Sequence, residues 1–303
     1  VLLCGKTPSV EKGNNMKRII LLFIGFMIVA QSGAWAEDIY CRYKLIDAVH
    51  YGKVEGQIIH EWSAAPWNGG VETGHTVPLD NVKFLHPSEP TIIIGISGSY
   101  KEAWEGKTPF KTIRWFLKPP TSAASPGEAI ELPAALDELQ VETELVVIIG
   151  KTVKNADLEE AKEAIFGYTI GNDIVGSVDS YHKLAGEPAD QVETLLGPAL
   201  KHGDKFSPYG PFIYRGVDWR NRERVLVVKN EEKGKKEIYR HNTSNMIFPP
   251  EKIVSDLSRV FTLNPGDVIM TGTTAALPAH AGDVMEVSVE GLGTIINSVV
   301  ASK

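Results

Sequence analysis

Apolar residues recur along the chain in short runs interrupted by glycine, a spacing that predicts many strands and few helices. The most sharply defined run, Leu145 to Ile149, is continuous, branched and closed by Gly150, and it predicts a buried strand. "YTIGNDI" (168–174) predicts a second strand, and between the two lies "NADLEEAKEAIFG". There Asp157 and Glu160 fit a capping box, Leu158, Ala161 and Ile165 fall on one helical face, and Gly167 is positioned to stop the helix. The last third of the chain is strands and turns, including "RVLVVKN", "GDVIMTGT", "GDVMEVSVEGLG" and "TIINSVV". "NEEKGKKEIYR" (230–240) carries mixed charges around Gly234 and predicts an exposed hairpin turn.

Nearer the start, Ile39 to Pro90 reads as short strands broken by glycine, a small β-rich unit at 37–90 closed by "HPSEP" (86–90) as a linker. "TIIIGIS" then opens a larger region, 91–303. The pattern is that of an α+β chain weighted towards β, without the regular alternation of a doubly wound sheet.

Composition changes this picture little. The 303 residues are 43% hydrophobic and 23% charged, ordinary for a globular protein, and the net charge of −7 argues against a nucleic-acid partner. The N-terminus adds more. Met16, Lys17 and Arg18 precede an apolar run from Ile19 to Ala30, then "QSGAWA", so 16–36 has the form of a secretory signal peptide cleaved after Ala36. The run is shorter than the ~20 residues of a spanning helix, so no stable membrane anchor is expected. Residues 1–15 read as a mis-started leader ahead of Met16, and the expected location is periplasmic or secreted. Of the two cysteines, Cys4 lies in that leader, so Cys41 alone forms no intrachain disulfide in the mature chain.

The candidate chemistry begins where the first strand does. Glu142 and Glu144 stand at i and i+2, which places both side chains on one face of a strand. Two such carboxylates repel unless they are protonated, solvated or neutralised by a cation, so the pair is either a wet strand end or half of a metal site. If the strand ending at Asp173 runs antiparallel to this one, a third carboxylate joins them. Three oxygen ligands without His or Cys suit Mg²⁺, with Mn²⁺ or Ca²⁺ as alternatives.

The motifs "FLKPPTS", "ELPAALDELQVETELVVIIGK", "AIFGYTIGNDI", "KHGDKFSPYGPFI", "NTSNMIF", "LNPGDVIMTGT" and "GDVMEVSVEGLGTIINSV" resemble, in order and spacing, the fumarylacetoacetate hydrolase family across residues 91–300. That resemblance implies a catalytic domain of rolled, mixed β-sheets, usually a homodimer, with Mg²⁺ or Mn²⁺ at its centre. It implies small carboxylic acid substrates bearing a 2-oxo or β-dicarbonyl group, and C–C hydrolysis, decarboxylation or keto–enol isomerisation as outcomes. C–C bond hydrolysis is the family's commonest reaction and the expected activity of this chain, with decarboxylation or isomerisation of a similar acid as the alternative. By position, Glu142, Glu144 and Asp173 are the implied metal ligands, Lys201 the active-site lysine, and Gly272 and Thr273 the turn that holds the substrate carboxylate.

The sequence departs from the family where water is activated. Hydrolytic members carry Asn-Tyr-x-x-His and then Glu in a loop after the "IIIGIS" strand; here the loop is "SYKEAWEG". Tyr100 fits and is expected at the substrate, but Ser99 and Ala103 replace Asn and His, leaving Glu102 and Glu105 as candidate general bases. Ser177 stands where the family has a substrate-binding Arg, and Thr274 and Ala276 replace the Pro and Gly of its "TGTP" turn. A metal-retaining binding protein without turnover is the rival expectation.

Overall fold

Seven consecutive residues, Thr143–Ile149, are buried, because this strand lies between two others and is covered on both faces. In the computed structural model, which describes residues 38–104, 108–134, 136–177 and 198–302, it pairs antiparallel with Ile165–Asn172 on one side and Val268–Met270 on the other. The expected signal segment and Glu105 lie outside the described residues.

These strands form the middle of an 11-stranded sheet. It runs from Glu72–Pro78 at one edge through Asp38–Leu45 and Phe212–Arg215, past the central strands, to Ile93–Ser97 and Arg114–Lys118. Val268–Met270 and Ile93–Ser97 are parallel, which makes the sheet mixed. The strands before Phe84 continue the same sheet through Asp38–Leu45, which pairs with Phe212–Arg215. The stretch read as a linker is packed: Ser88 is buried, and its hydroxyl lies 3.1 Å from the Tyr209 hydroxyl.

A five-stranded sheet lies against one face. Its strands Glu223–Asn230 and Val284–Val289 alternate buried and half-buried positions, so Leu226, Val228, Met285 and Val287 share a core with Leu145 and Ile170. Further along the same face, Val147 and Ile149 pack with the helices Leu158–Ala164 and Pro250–Ser258 through Ala161, Ala164, Ile253 and Leu257, while Val146 and Ile148 face the other way and pack with Ile93, Val268 and Met270. The fold is thus α+β, mainly β, as the periodicity predicts.

The predicted capping box is present: Asp157 accepts from the Glu159 and Glu160 amides, and Glu160 accepts from the Asp157 amide. The predicted helix stop is not. The helix ends at Ala164, and Ile165 already has extended backbone and opens the next strand. Gly167 lies inside that strand, where a Cβ would fall 2.6 Å from the Tyr214 carbonyl oxygen. Close backbone approach, not termination, is what requires glycine there. Leu158, assigned to the buried face, is half-exposed at the first turn. The hairpin turn at Gly234 forms as expected, with φ +62° between the paired strands Glu223–Asn230 and Lys235–Asn242.

Candidate metal centre

Antiparallel pairing of the two central strands sets Thr143 opposite Asn172 and so brings their ends together. The Asp173 amide donates to the Glu142 carbonyl at 3.0 Å, and the Glu142 amide donates to Asn172 Oδ1 at 3.1 Å. Glu142 and Glu144 therefore point to one side with Asp173 beside them, and one oxygen from each of the three lies within 4.8 Å of the others. Oxygens held ~2.1 Å from a common ion stand roughly 3 to 4.2 Å apart, so a small inward adjustment from within 4.8 Å gives this cluster the dimensions of a hard divalent cation site, and it already has the donor set. Glu144 and Asp173 are buried, and Glu142 is nearly so. Solvent therefore does not supply the missing neutralisation.

Two lysines supply part of it. Lys201, at the end of a short 3-10 turn (Pro198–Lys201), donates to Glu142 Oε2 at 2.7 Å and to Asp173 Oδ2 at 2.6 Å. Its ammonium also lies 4.9 Å from the Phe116 ring centroid. Lys118, at the end of its edge strand, is fully buried; it donates to Asp173 Oδ1, to the Phe206 carbonyl at 2.9 Å and to the Ile174 carbonyl at 3.2 Å. Three oxygen acceptors around one nitrogen complement an ammonium.

Burial would raise the Asp173 carboxyl, but the Lys118 and Lys201 charges outweigh it and hold the group below its usual range. Burial raises Glu142, with Lys201 opposing, and raises Glu144 well above the ordinary value, with the Asp173 charge adding to the effect and Arg224 opposing. Burial would lower Lys201, yet Asp173 and Glu142 reverse this and raise it, so it stays a cation. In Lys118, burial prevails over the Asp173 charge and the pKa is lowered.

The glycine turn closes the third side. The Gly272 amide donates to Glu144 Oε2 at 2.6 Å, and Gly272 has φ +104°. A Cβ there would fall 2.2 Å from Ser99 Oγ and 2.9 Å from the Ile96 carbonyl. Ser99, where the family has Asn, donates its hydroxyl to the Thr271 carbonyl and so ties the loop after "IIIGIS" to this turn. The half-buried Thr273 directs its hydroxyl to the Ala275 carbonyl at 3.3 Å.

Of the sequence-derived candidates, Glu142, Glu144, Asp173, Lys201 and Gly272 come together. Tyr100 does not line an open pocket: it is fully buried, its ring lies 4.2 Å from the Arg224 guanidinium carbon, and burial pushes its hydroxyl up to about 12. Glu102 is exposed and accepts from Asn245 Nδ2, so it is not presented to the carboxylates. Glu105 lies outside the described residues. His202 is exposed. Trp104 donates to the Gly98 carbonyl at 2.7 Å and packs on Phe110, while Trp115 packs on Phe261.

Sequence reasoning missed Lys118 and Arg224. Lys118 stands inside "FLKPPTS", and a lysine between an apolar strand and two prolines was the available signal. Arg224 occupies an inward position of an alternating strand, where a cation is out of pattern.

Fold and cluster together define a mixed-β protein with a buried acidic centre suited to a divalent cation. The chain matches the fumarylacetoacetate (FAA) hydrolase C-terminal family over residues 97–300 and a family described as Rv2993c-like, N-terminal, over residues 40–87. It belongs to the fumarylacetoacetate hydrolase family. Protein Rv2993c of Mycobacterium tuberculosis is 31% identical over 267 residues, covering 84% of this chain and 95% of that protein. The mitochondrial oxaloacetate tautomerase fahd2 of Xenopus laevis is 32% identical over 237 residues, covering 75% of this chain and 71% of its own. Among solved structures, the 5-carboxymethyl-2-hydroxymuconate delta-isomerase from Mycobacterium smegmatis has a TM-score of 0.75 at 30% identity, covering 87% of this chain and 100% of that one.

Proposed function

We propose that the protein is a divalent-cation-dependent enzyme that isomerises a small 2-oxo or β-dicarbonyl carboxylic acid, by keto–enol or double-bond migration. The observation that carries this reading is the buried Glu142–Glu144–Asp173 cluster flanked by the ammonium groups of Lys118 and Lys201. Glu142, Glu144 and Asp173 would hold the ion, Mg²⁺ or Mn²⁺ by the donor chemistry, and when bound it supplies Lewis-acid polarisation of neighbouring substrate oxygens.

The protein's own groups account for the rest. With its three carboxylates ionised against two ammonium groups the cluster carries a net negative charge, and a divalent ion held by them would turn it net positive, which favours an anionic acid. Lys201, hydrogen-bonded to Glu142 and Asp173, would set its ammonium as a positive charge beside the oxygen where an enolate charge gathers. The Gly272–Thr273 turn stands beside Glu144 and is the proposed seat of the substrate carboxylate. Burial of the cluster excludes bulk water and strengthens each of these interactions.

Isomerisation moves one proton between a substrate carbon and its conjugated position, out of one site and back to the other, and it is favoured over C–C hydrolysis, which needs an activated water in addition. The described part of the loop offers Ala103, which has no proton acceptor, and Glu102, which faces solvent and is bound by Asn245. The names of two relatives, a tautomerase and a delta-isomerase, support the same order. Decarboxylation of a 2-oxo acid is the neighbouring reaction, since it passes through the same enolate and needs no activated water. The proposal extends to a homodimer, as the family resemblance implies, and to action in the periplasm or outside the cell, on the strength of the 16–36 segment.

Calorimetric titration of Mn²⁺ or Mg²⁺ into wild type and Glu142→Ala should give binding in the first and none in the second; equal binding would remove the site assignment. Proton NMR in D₂O with Mg²⁺ then separates the reactions. Accelerated exchange at the carbon next to the oxo group marks isomerisation, two smaller acids mark hydrolysis, and tight acid binding without either makes the protein a binder.

A further inference from the structure

Arg224 is the largest fully buried side chain among the described residues, and its Nη1 goes to main chain while no carboxylate is among the acceptors of its hydrogen bonds. Nη1 donates to the Gly272 carbonyl at 2.8 Å and to the Thr143 carbonyl at 3.2 Å. Thr143 is the residue between the two candidate ligands Glu142 and Glu144, and Gly272 is the residue whose amide binds Glu144. One guanidinium therefore ties together the backbone that carries Glu144 and the turn that holds its carboxylate.

The guanidinium is itself held. Its Nη2 donates to His241 Nδ1 at 3.2 Å, and its plane meets the Tyr100 ring at 4.2 Å. His241 Nδ1 also lies 2.5 Å from Thr274 Oγ1, which stands 3.2 Å from the Tyr239 hydroxyl. Thr274 follows the glycine turn at the position where a rigid proline is absent from this chain. The hydrogen bonds from Thr274 through His241 to Arg224 and back to Gly272 close a ring that fixes the turn from behind.

Burying an unpaired guanidinium is expensive, and a core position on an alternating strand would be filled at less cost by an aliphatic residue. Its retention is explained if the two carbonyls it clamps must be held in one geometry. We propose that Arg224, locked by His241, is a positioning residue for the metal centre: it sets Glu144 by clamping the carbonyls of Thr143 and Gly272. This inference rests on the proposed metal-dependent function. Arg224 is not a ligand and touches no reacting atom; it acts through Glu144, as outer groups do when they orient a ligating carboxylate.

The test is Mn²⁺ affinity by calorimetry on the full-length apo protein, with the Mn²⁺ electron paramagnetic resonance line shape as a second readout. Arg224→Met keeps the length and removes every donor; it should bind Mn²⁺ about 10- to 100-fold more weakly and change the line shape. Arg224→Lys can hold one carbonyl and should fall between Met and wild type, at about 3-fold weaker or more. The control is Asn230→Ala, on the same strand, which loses a buried 2.9 Å hydrogen bond to Asp283 and should lower the melting temperature while leaving Mn²⁺ affinity within about 2-fold.

Unchanged Mn²⁺ binding in Arg224→Met, with Glu142→Ala inactive in binding, would overturn the clamp and leave the metal site standing. Equal weakening in Asn230→Ala would also overturn it, since the effect would then be general destabilisation. If Arg224→Met does not fold, the Lys variant decides by the same comparison. Failure of the wild type to bind Mn²⁺ removes both this inference and the function on which it rests.

Discussion

Gly272→Ala tests the architecture of the site at a single atom. Gly272 has φ +104°, which an L-residue adopts only with strain of about 1–3 kcal/mol. The added methyl carbon would fall 2.2 Å from Ser99 Oγ, 2.9 Å from the Ile96 carbonyl and 3.4 Å from Ser99 Cβ. The first contact cannot persist, so Ser99 must give up its hydrogen bond to the Thr271 carbonyl, at about 1 kcal/mol. Together these predict a loss of about 2–4 kcal/mol, a lowering of the melting temperature by roughly 4–16 °C for a chain of this size. Urea denaturation of Gly272→Ala, Ser99→Ala and the double variant separates the parts. Removing Oγ leaves the new carbon in ordinary contact with Ser99 Cβ, so the double variant should be about 1 kcal/mol more stable than the sum of the singles predicts. The φ strain and the 2.9 Å contact with the Ile96 carbonyl remain in it. A single variant within 1 °C of wild type, or strict additivity in the cycle, would refute the reasoning.

His241 should impose a pH dependence on stability. Burial, with the Arg224 charge adding to it, lowers its pKa from 6.5 to about 2, so the folded chain keeps it neutral where the unfolded chain protonates it. The sign follows: its contribution is complete above the unfolded pKa of 6.5 and is lost as pH falls from there towards about 2, at a limiting ~1.4 kcal/mol per unit. Urea titrations between pH 7.5 and 4.5 should show this slope in wild type and a shallower one in His241→Gln; equal slopes would refute it. Lys201→Met should reduce turnover about 100-fold or more while Mn²⁺ binds at least as tightly, because the ammonium occupies the oxygens the ion would take. Calorimetry beside steady-state assays checks this, and weaker Mn²⁺ binding with normal turnover would contradict it. Expression with residues 16–36 intact should yield exported protein that begins at Glu37 by mass spectrometry; cytoplasmic protein retaining this segment would argue against export.

Local patterns carried much of this protein. The apolar Leu145–Ile149 run, the Asp157–Glu160 capping box and the Gly234 hairpin depend on neighbours a few residues away, and they formed as the periodicity requires. The i, i+2 spacing of Glu142 and Glu144 likewise set both carboxylates on one face before any tertiary contact was known. Gly167 failed as a helix stop because its requirement comes from Tyr214, a residue on another strand.

What only the tertiary structure decided was which distant groups meet that pair. Antiparallel pairing brings Asp173 to Glu142, an edge strand delivers Lys118, and the packing of a second sheet turns Arg224 towards the Gly272 turn. Alternation along a strand marks a position as inward but does not say what it faces. Tyr100 and Glu102 show the same limit, two residues apart in one loop, one sealed in the core and the other in solvent. Spacing is a property of the chain, and the charge balance of a buried cluster is a property of the strands that fold over it.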